Sequence, residues 1–467
     1  MRAGHRGWRW GLCAPVLLGL TACSLGPSYR RPDVPLPPAW STAANAEASP
    51  PEKDWWRGFG SVQLDDLIAR AQASNDDIGA AMARVREADA QARIAGAALL
   101  PSLTGTASAT RERAQPETGG PPRTFDVFTP AITASYELDF WGRNRDLHQA
   151  ALAAARASRF DRETVALTVM TSVAMSYFEV LEFQDRLQVA QQNYDNAQTI
   201  LKDLELEARV GTATALDVAQ QATTVATLDA AIPPLAQQLR QSMDALAILT
   251  GQPPELMTGD QGSLDALTLP AVGAGLPSQL LARRPDVAEA EAQLIGANAN
   301  IAAARAAFFP SFDLTATGGY ASSALGTLLS PASRVFALSA GLTQTIFDNG
   351  ALTGQYRFER ARYDELLSDY HKTVLTALGN VEDALVAVQQ SAEQQLRQQD
   401  ATDKARRAFD LAQLQFKAGT ISVLTLLNTE TALFSAQDAL VQGKFAHLQA
   451  LLTLYQALGG GWRQEQP

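Results

Sequence analysis

Two hydrophobic patterns alternate along the chain, and each of them occurs twice. The first has period two. Leu103, Gly105, Ala107 and Ala109 alternate with Thr104, Thr106, Ser108 and Thr110, and Ile132, Ala134, Tyr136 and Leu138 alternate with Thr133, Ser135, Glu137 and Asp139. Further on, Phe312, Leu314 and Ala316 alternate with Ser311, Asp313, Thr315 and Thr317, and Phe336, Leu338, Ala340 and Leu342 alternate with Ala337, Ser339, Gly341 and Thr343. This is the signature of strands with one apolar and one polar face. Polar loops, Arg111 to Arg123 and Ala321 to Ser333, join each pair, so the pattern predicts four strands in two hairpins.

The second pattern is helical. From Arg143 to Val210 there is no Gly or Pro, and from Ala351 to Ala418 there is no Pro. Each stretch, as a helix, would be roughly 100 Å long, and helices of that length survive by packing along one another. Leu228, Ile232, Leu235, Leu239, Met243 and Leu246 recur at three- and four-residue steps and supply such a partner seam. Gly211-Thr212 and Gly419-Thr420 mark tight turns between outgoing and returning helices, and Pro233-Pro234 is expected to break or kink the first returning helix, leaving it in two pieces. Stacked helical bundles would explain the helices and leave the strands unexplained.

Both patterns belong to one duplication. Leu100-Pro101-Ser102-Leu103 returns as Phe309-Pro310-Ser311-Phe312, Gly142 as Gly350, and Val210-Gly211-Thr212 as Ala418-Gly419-Thr420, at offsets of 208 or 209. The repeats divide the chain into a signal peptide (1–22), a tether and equatorial segment (23–60), a first repeat (61–250), a linker (251–284), a second repeat (285–458) and a tail (459–467). Within the first repeat the strand hairpin falls at about 101–140 and the helices at about 143–210 and 213–250. Within the second they fall at about 310–347, 351–418 and 421–458.

Composition adds the compartment. Arg2, Arg6 and Arg9 precede an apolar run, Gly11 to Leu20, too short to span a bilayer. The run ends in Leu20-Thr21-Ala22-Cys23, which resembles a bacterial lipobox and makes Cys23 the expected acylated N-terminus; an ordinary secretory signal with an incidental cysteine is the other reading. Cleavage would remove three Arg and no acid, leaving 35 Lys and Arg against 49 Asp and Glu, a formal −14 against −11 for the whole chain. It would also leave Cys23 as the sole cysteine, with no intramolecular disulfide, and Ser24 after it favours the outer membrane. The acidic balance argues against nucleic acid, which requires clustered Lys and Arg. His148, His371 and His447 have no metal-ligand spacing, no catalytic motif is present, and neither an enzymatic activity nor a metal or cofactor other than lipid is expected. Gly459-Gly460-Gly461 reads as a flexible helix stop.

Four amphipathic strands cannot close a barrel, and an open edge is not tolerated in lipid, so the barrel must be shared with other copies. Phe140, Trp141, Phe308, Phe309 and Phe347 cluster where helix meets strand. They would form an aromatic girdle at the membrane–water interface, or else fill a core at the joint.

Four stretches carry a family resemblance: Cys23 to Pro32, Asp139-Phe140-Trp141-Gly142-Arg143, Ile232-Pro233-Pro234-Leu235, and Leu281-Ala282-Arg283-Arg284-Pro285-Asp286-Val287 with the following Ala-Arg-Ala-Ala-Phe-Phe-Pro run. By them the chain resembles the TolC-type outer-membrane efflux channels, in the lipoprotein branch serving tripartite RND pumps. It implies a mainly α fold with a transmembrane β portion: a homotrimer with a twelve-stranded barrel and a long α-helical coiled-coil barrel. It also implies an equatorial belt from Trp40 to Phe59, Gln252 to Ser278 and the tail. The implied partners are a periplasmic adaptor, an inner-membrane RND transporter and outer-membrane lipid. The implied function is passive conduction of small toxic compounds or drugs, with the duct of an ABC-type protein secretion system as the alternative.

Two places are expected to carry that function. At the periplasmic end the family closes its pore with aspartates and a tyrosine–arginine network. The matching positions are Phe416, Ile421, Thr425 and Asn428, with Asp217 and Gln220 at the equivalent positions of the first repeat. None of the first four is charged, which leaves a neutral constriction or ordinary solvated helix positions. The hairpin tips, Val210, Gly211 and Thr212 and Ala418, Gly419 and Thr420, are expected to meet the adaptor; a plain turn needing glycine is the other reading.

Overall fold

The computed structural model describes residues 26–41, 50–115, 119–257 and 262–464. The signal segment and Cys23 lie outside these residues. In chain order the elements are α1 (Val62–Ser74), α2 (Asp76–Ala97), β1 (Ser102–Ala114), β2 (Arg123–Glu137), α3 (Arg143–Arg209), α4 (Ala215–Leu249), the one-turn α5 (Pro277–Leu280), α6 (Pro285–Ala306), β3 (Ser311–Tyr320), β4 (Arg334–Thr343), α7 (Ala351–Lys417) and α8 (Val423–Ala457). The duplication is visible at once: α3 and α7 have 67 residues each, and α4 and α8 have 35 each.

Compactness divides the chain across the duplication rather than along it. One unit takes Arg86–Ala157 and Glu291–Asp369, with the segment up to Pro32; the other takes Asp33–Val85, Ser158–Ala290 and Tyr370–Pro467.

The first unit holds a four-stranded antiparallel sheet in the order β1-β2-β3-β4. Each repeat gives one hairpin, and the hairpins join through β2 and β3, from Ala131 opposite Gly319 to Glu137 opposite Asp313. The first loop is shorter than its polar sequence predicts. β1 continues through Arg111 to Ala114, because Arg111 lies opposite Asp126 and forms an ion pair with it at 3.7 Å. Cross-strand partners of this kind hold polar residues in a ladder as well as apolar ones do. β1 and β4 form the edges and are exposed almost throughout, Phe336 and Leu338 by 84% and 78%. Helices in this unit pack through small residues: a Cβ on Gly96 would stand 2.9 Å from the His148 ring, and one on Gly296 3.5 Å from the Ala153 Cβ. That close approach accounts for the abundance of alanine.

The second unit is helical around an aromatic and leucine core. Trp55 stacks on Tyr455 with ring centroids 4.9 Å apart, Phe59 meets Phe178 edge-on at 5.1 Å, and Leu64, Ile68, Leu181 and Leu452 are fully buried between helices. Arg186 of α3 bridges Glu182 and Asp438 of α8, and burial raises the Glu182 carboxyl above its ordinary range. The segments expected to form an equatorial belt are pinned to one another here: Trp40 Nε1 donates to the Gly275 carbonyl at 2.9 Å, and the Thr268 N–H to that of Phe59 at 3.0 Å. Arg284 is held by both oxygens of Asp286 and donates to the carbonyl of Ala457 at 3.0 Å, capping the end of α8. The Arg-Pro-Asp motif is thus a structural clamp, with Pro285 opening α6.

Two sequence expectations are corrected in this unit. α4 is one continuous helix, with Pro233 and Pro234 inside it. Both prolines and the residues four back, Asp229 and Ala230, are exposed, so water can satisfy the freed carbonyls and the flanking turns keep the helix intact. Gly459-Gly460-Gly461 is a tightly packed turn rather than a flexible stop. All three have positive φ, and added Cβ atoms would stand 2.0 Å from the Arg283 carbonyl oxygen, 2.2 Å from Leu167 and 2.2 Å from Glu52 backbone, respectively.

Candidate functional site

The two hairpin tips are built identically. The Thr212 N–H donates to the Glu207 carbonyl at 2.9 Å and that of Gly211 to Ala208 at 3.1 Å; Thr420 donates to Gln415 at 2.9 Å and Gly419 to Phe416 at 2.8 Å. This is the double closure of a Schellman turn, which needs a left-handed residue just past the helix. Gly211 and Gly419 supply it, with φ of +83° and +69°. The Thr212 and Thr420 hydroxyls add a second bond to the same carbonyls, at 3.0 and 2.9 Å. A Cβ on either glycine would meet nothing within 4 Å, so the space above each tip is open.

Exposed apolar residues flank the turns in register. Leu206 and Leu414 occupy equivalent positions on the outgoing helices, Leu216 and Leu424 on the returning ones, and all four are more than half exposed. Val210 is 76% exposed. The offset of 208 could have exposed these leucine pairs at the outset, but helical periodicity directs attention to buried faces.

Below the tips, Ile200, Leu204, Phe409, Ala412, Val423, Leu426, Leu427, Leu433 and Phe434 form one apolar cluster from α3, α7 and α8. Phe416 and Ile421 pack against it. Thr425 and Asn428 are exposed, and Asp217 and Gln220 half-buried. Asp217 has a local partner: its carboxylate accepts from the Thr214 N–H at 2.9 Å and hydroxyl at 2.7 Å, while its N–H donates to the Thr214 hydroxyl at 3.2 Å. This capping box opens α4 and holds the Asp217 carboxyl below its ordinary pKa. Thr425 occupies the same third position of α8, where its N–H and hydroxyl meet Ser422 Oγ at 3.4 and 3.1 Å. The Asp217–Thr425 difference is therefore a difference between two helix caps.

At the strand–helix junction, Trp141 stacks on Phe309 at 4.8 Å and donates Nε1–H to the Pro310 carbonyl at 2.8 Å. Phe140 meets Phe312 edge-on at 4.9 Å, Phe308 meets Tyr356 at 6.3 Å, and Phe347 is 83% exposed. Trp141 and Phe140 thus take part in ring packing at the joint, whereas Phe347 points outward. Among the described residues no group of three or more His, Cys, Asp or Glu is arranged to hold a metal ion.

The model of the outer membrane efflux protein family matches residues 67–252 and again 276–460, one match to each repeat. The chain belongs to this family. It is 40% identical over 464 residues to the pyoverdine export outer membrane protein OpmQ of Pseudomonas aeruginosa, covering 97% of each chain. It is 33% identical over 457 residues to the probable efflux pump outer membrane protein TtgC of Pseudomonas putida, covering 96% of this chain and 94% of that one. Its fold matches the open state of the MtrE outer membrane channel of Neisseria gonorrhoeae with a TM-score of 0.87 at 28% identity, over 94% and 99% of the two chains. The efflux protein described here is thus a TolC-type channel of the outer membrane and the outer-membrane component of a tripartite pump, not the duct of an ABC-type protein secretion system. Channels of this family close their barrel as trimers, which accounts for four strands with two unpaired edges.

Proposed function

We propose that this efflux protein conducts a small secreted chelator of the pyoverdine class to the exterior, receiving it from an inner-membrane transporter through a periplasmic adaptor docked on the two hairpin tips. The observation that carries the cargo is the 40% identity to OpmQ along 97% of both chains, against 33% to TtgC. The tips support the docking: two equivalent turns, open above their glycines, each present the same exposed leucines. An RND transporter is the inner-membrane partner that the lipoprotein-branch resemblance implies. Cys23, acylated, would anchor the chain to outer-membrane lipid, and intact-mass measurement of the C23A variant against wild type tests it.

Deleting the gene under iron limitation tests the cargo. Retention of the chelator in the periplasm is the expected outcome. Normal secretion with heightened sensitivity to antibiotics or solvents would replace the chelator by drugs. The docking surface is tested by L206E/L414E, which should abolish efflux and crosslinking to the adaptor while leaving the trimer intact; normal efflux would dismiss it.

A further inference from the structure

Glu430 is fully buried on α8. Its three- and four-residue neighbours Leu426, Leu427, Leu433 and Phe434 all belong to the apolar cluster below the tips. Neither carboxyl oxygen has a hydrogen-bond partner. Among the described residues, the one side chain that reaches it is Gln221 of α4, also fully buried. Gln221 Nε2 donates to the Ala197 carbonyl of α3 at 2.8 Å, and its Oε1 has no partner. An ionised carboxylate needs donors that this setting does not supply. A protonated one carries the O–H that Gln221 Oε1 lacks.

The charged groups on the surrounding helices point elsewhere. Asp195, Lys202 and Asp203 on α3, Asp229 on α4, and Asp403, Lys404, Arg406, Arg407 and Asp410 on α7 are exposed. Asp217 is bound to Thr214, and Asp438 on α8 to Arg186. None of them acts on Glu430. Burial is the dominant cause that moves its carboxyl up to about 7.

We propose that Glu430 is a proton-operated latch between the two helical hairpins. Protonated, it donates to Gln221 Oε1 and ties α8 to α4 and, through Ala197, to α3. Ionised, it must reach water, which loosens α8 from α4 just below the tips. The sign follows from an acid whose pKa is higher folded than unfolded. The latch is fully engaged below the ordinary value of 4.5 and is lost as pH rises through about 7. Loosening this end at higher pH should raise conductance, a consequence that rests on the channel reading; the latch itself does not.

The full-length trimer reconstituted in lipid provides the test. Infrared spectra at about pH 6 should contain a protonated-carboxyl C=O band that fades as pH rises through about 7 and is missing from E430Q. Single-channel conductance of the wild type should rise over the same range, and that of E430Q should lose its pH dependence. The latch is overturned if the band is missing from the wild type, if it titrates unchanged in E430Q, or if E430Q keeps the conductance change. Should E430Q fail to assemble, isotope labelling of glutamate in the wild type decides, since the band must then shift with the label and titrate near neutrality. A titrating band in a trimer that conducts at no pH would sink the channel reading and leave the latch standing.

Discussion

In the first turn of α4, Asp217 accepts both the N–H and the hydroxyl of Thr214, and its own N–H returns the bond. Family resemblance marks this carboxylate as a gate residue, whereas its surroundings make it a cap. Hydrogen bonds from Thr214 depress its pKa, so it contributes stability that is present above the ordinary carboxylate value and is lost as pH falls through the lower, folded one. T214A should cost roughly 1 kcal/mol, seen as faster hydrogen exchange in the first turn of α4. T425D, which offers Ser422 the same reciprocal partner, should slow exchange at the start of α8; no change there would mean that the second cap cannot accept the box. Asn428 remains a candidate constriction residue, exposed on α8. N428A should leak more in single-channel recordings, and unchanged conductance would remove it from the gate. Capping boxes are legible in sequence as Thr-x-x-Asp before a helical run. Glu430 was not, because a lone Glu between Thr429 and Thr431 reads as solvated until the helix phase relative to α4 is known.

Among the elements, the helices and turns were the most legible. Absence of proline, and of glycine in α3, fixed the long helices to within a residue of Arg143–Arg209 and Ala351–Lys417. The glycines at 211 and 419 fixed the turns. The misreadings share one cause: the effect of Pro or Gly depends on what surrounds it. Pro233 and Pro234 lie on an exposed stretch where water replaces the lost bonds, so P233A/P234A should slow exchange locally in α4 without changing the assembly. The terminal glycines lie against other chain segments. G460A adds a Cβ 2.2 Å from Leu167 at a φ of +56°, and should lower stability by several kcal/mol, since overpacking and left-handed strain each cost roughly 1–3 kcal/mol. Thermal denaturation of the reconstituted trimer measures the loss.

For the whole molecule, the sequence was informative about what a single chain lacks. Period-two strands numbering four implied edges that other copies must cover, and the sheet has those edges in β1 and β4. The apolar side chains of β4, exposed along the strand, are the ones expected to face lipid. L338R should cost about 2–4 kcal/mol if it lies near the bilayer midplane, read as loss of the trimer on extraction; an unaffected trimer would place Leu338 in the barrel interior. What no pattern in the chain announced is that compact units form across the repeats. Periodicity records which face of an element is buried, and says nothing of which distant element covers it.

The seam between β2 and β3 has a consequence for how such a chain could arise. Seven consecutive residue pairs join the two copies there, edge to edge, each copy contributing one hairpin. The peptide link between the copies runs elsewhere, through the segment 251–284. A gene encoding a single copy would therefore make a protein with the same two sheet edges, able to close the same ring from six subunits instead of three. Fusing two copies halves the number of independent pieces that must meet, and frees each to drift. The unlike caps of α4 and α8, at equivalent positions of the two copies, are a difference that a ring of six identical subunits could not hold.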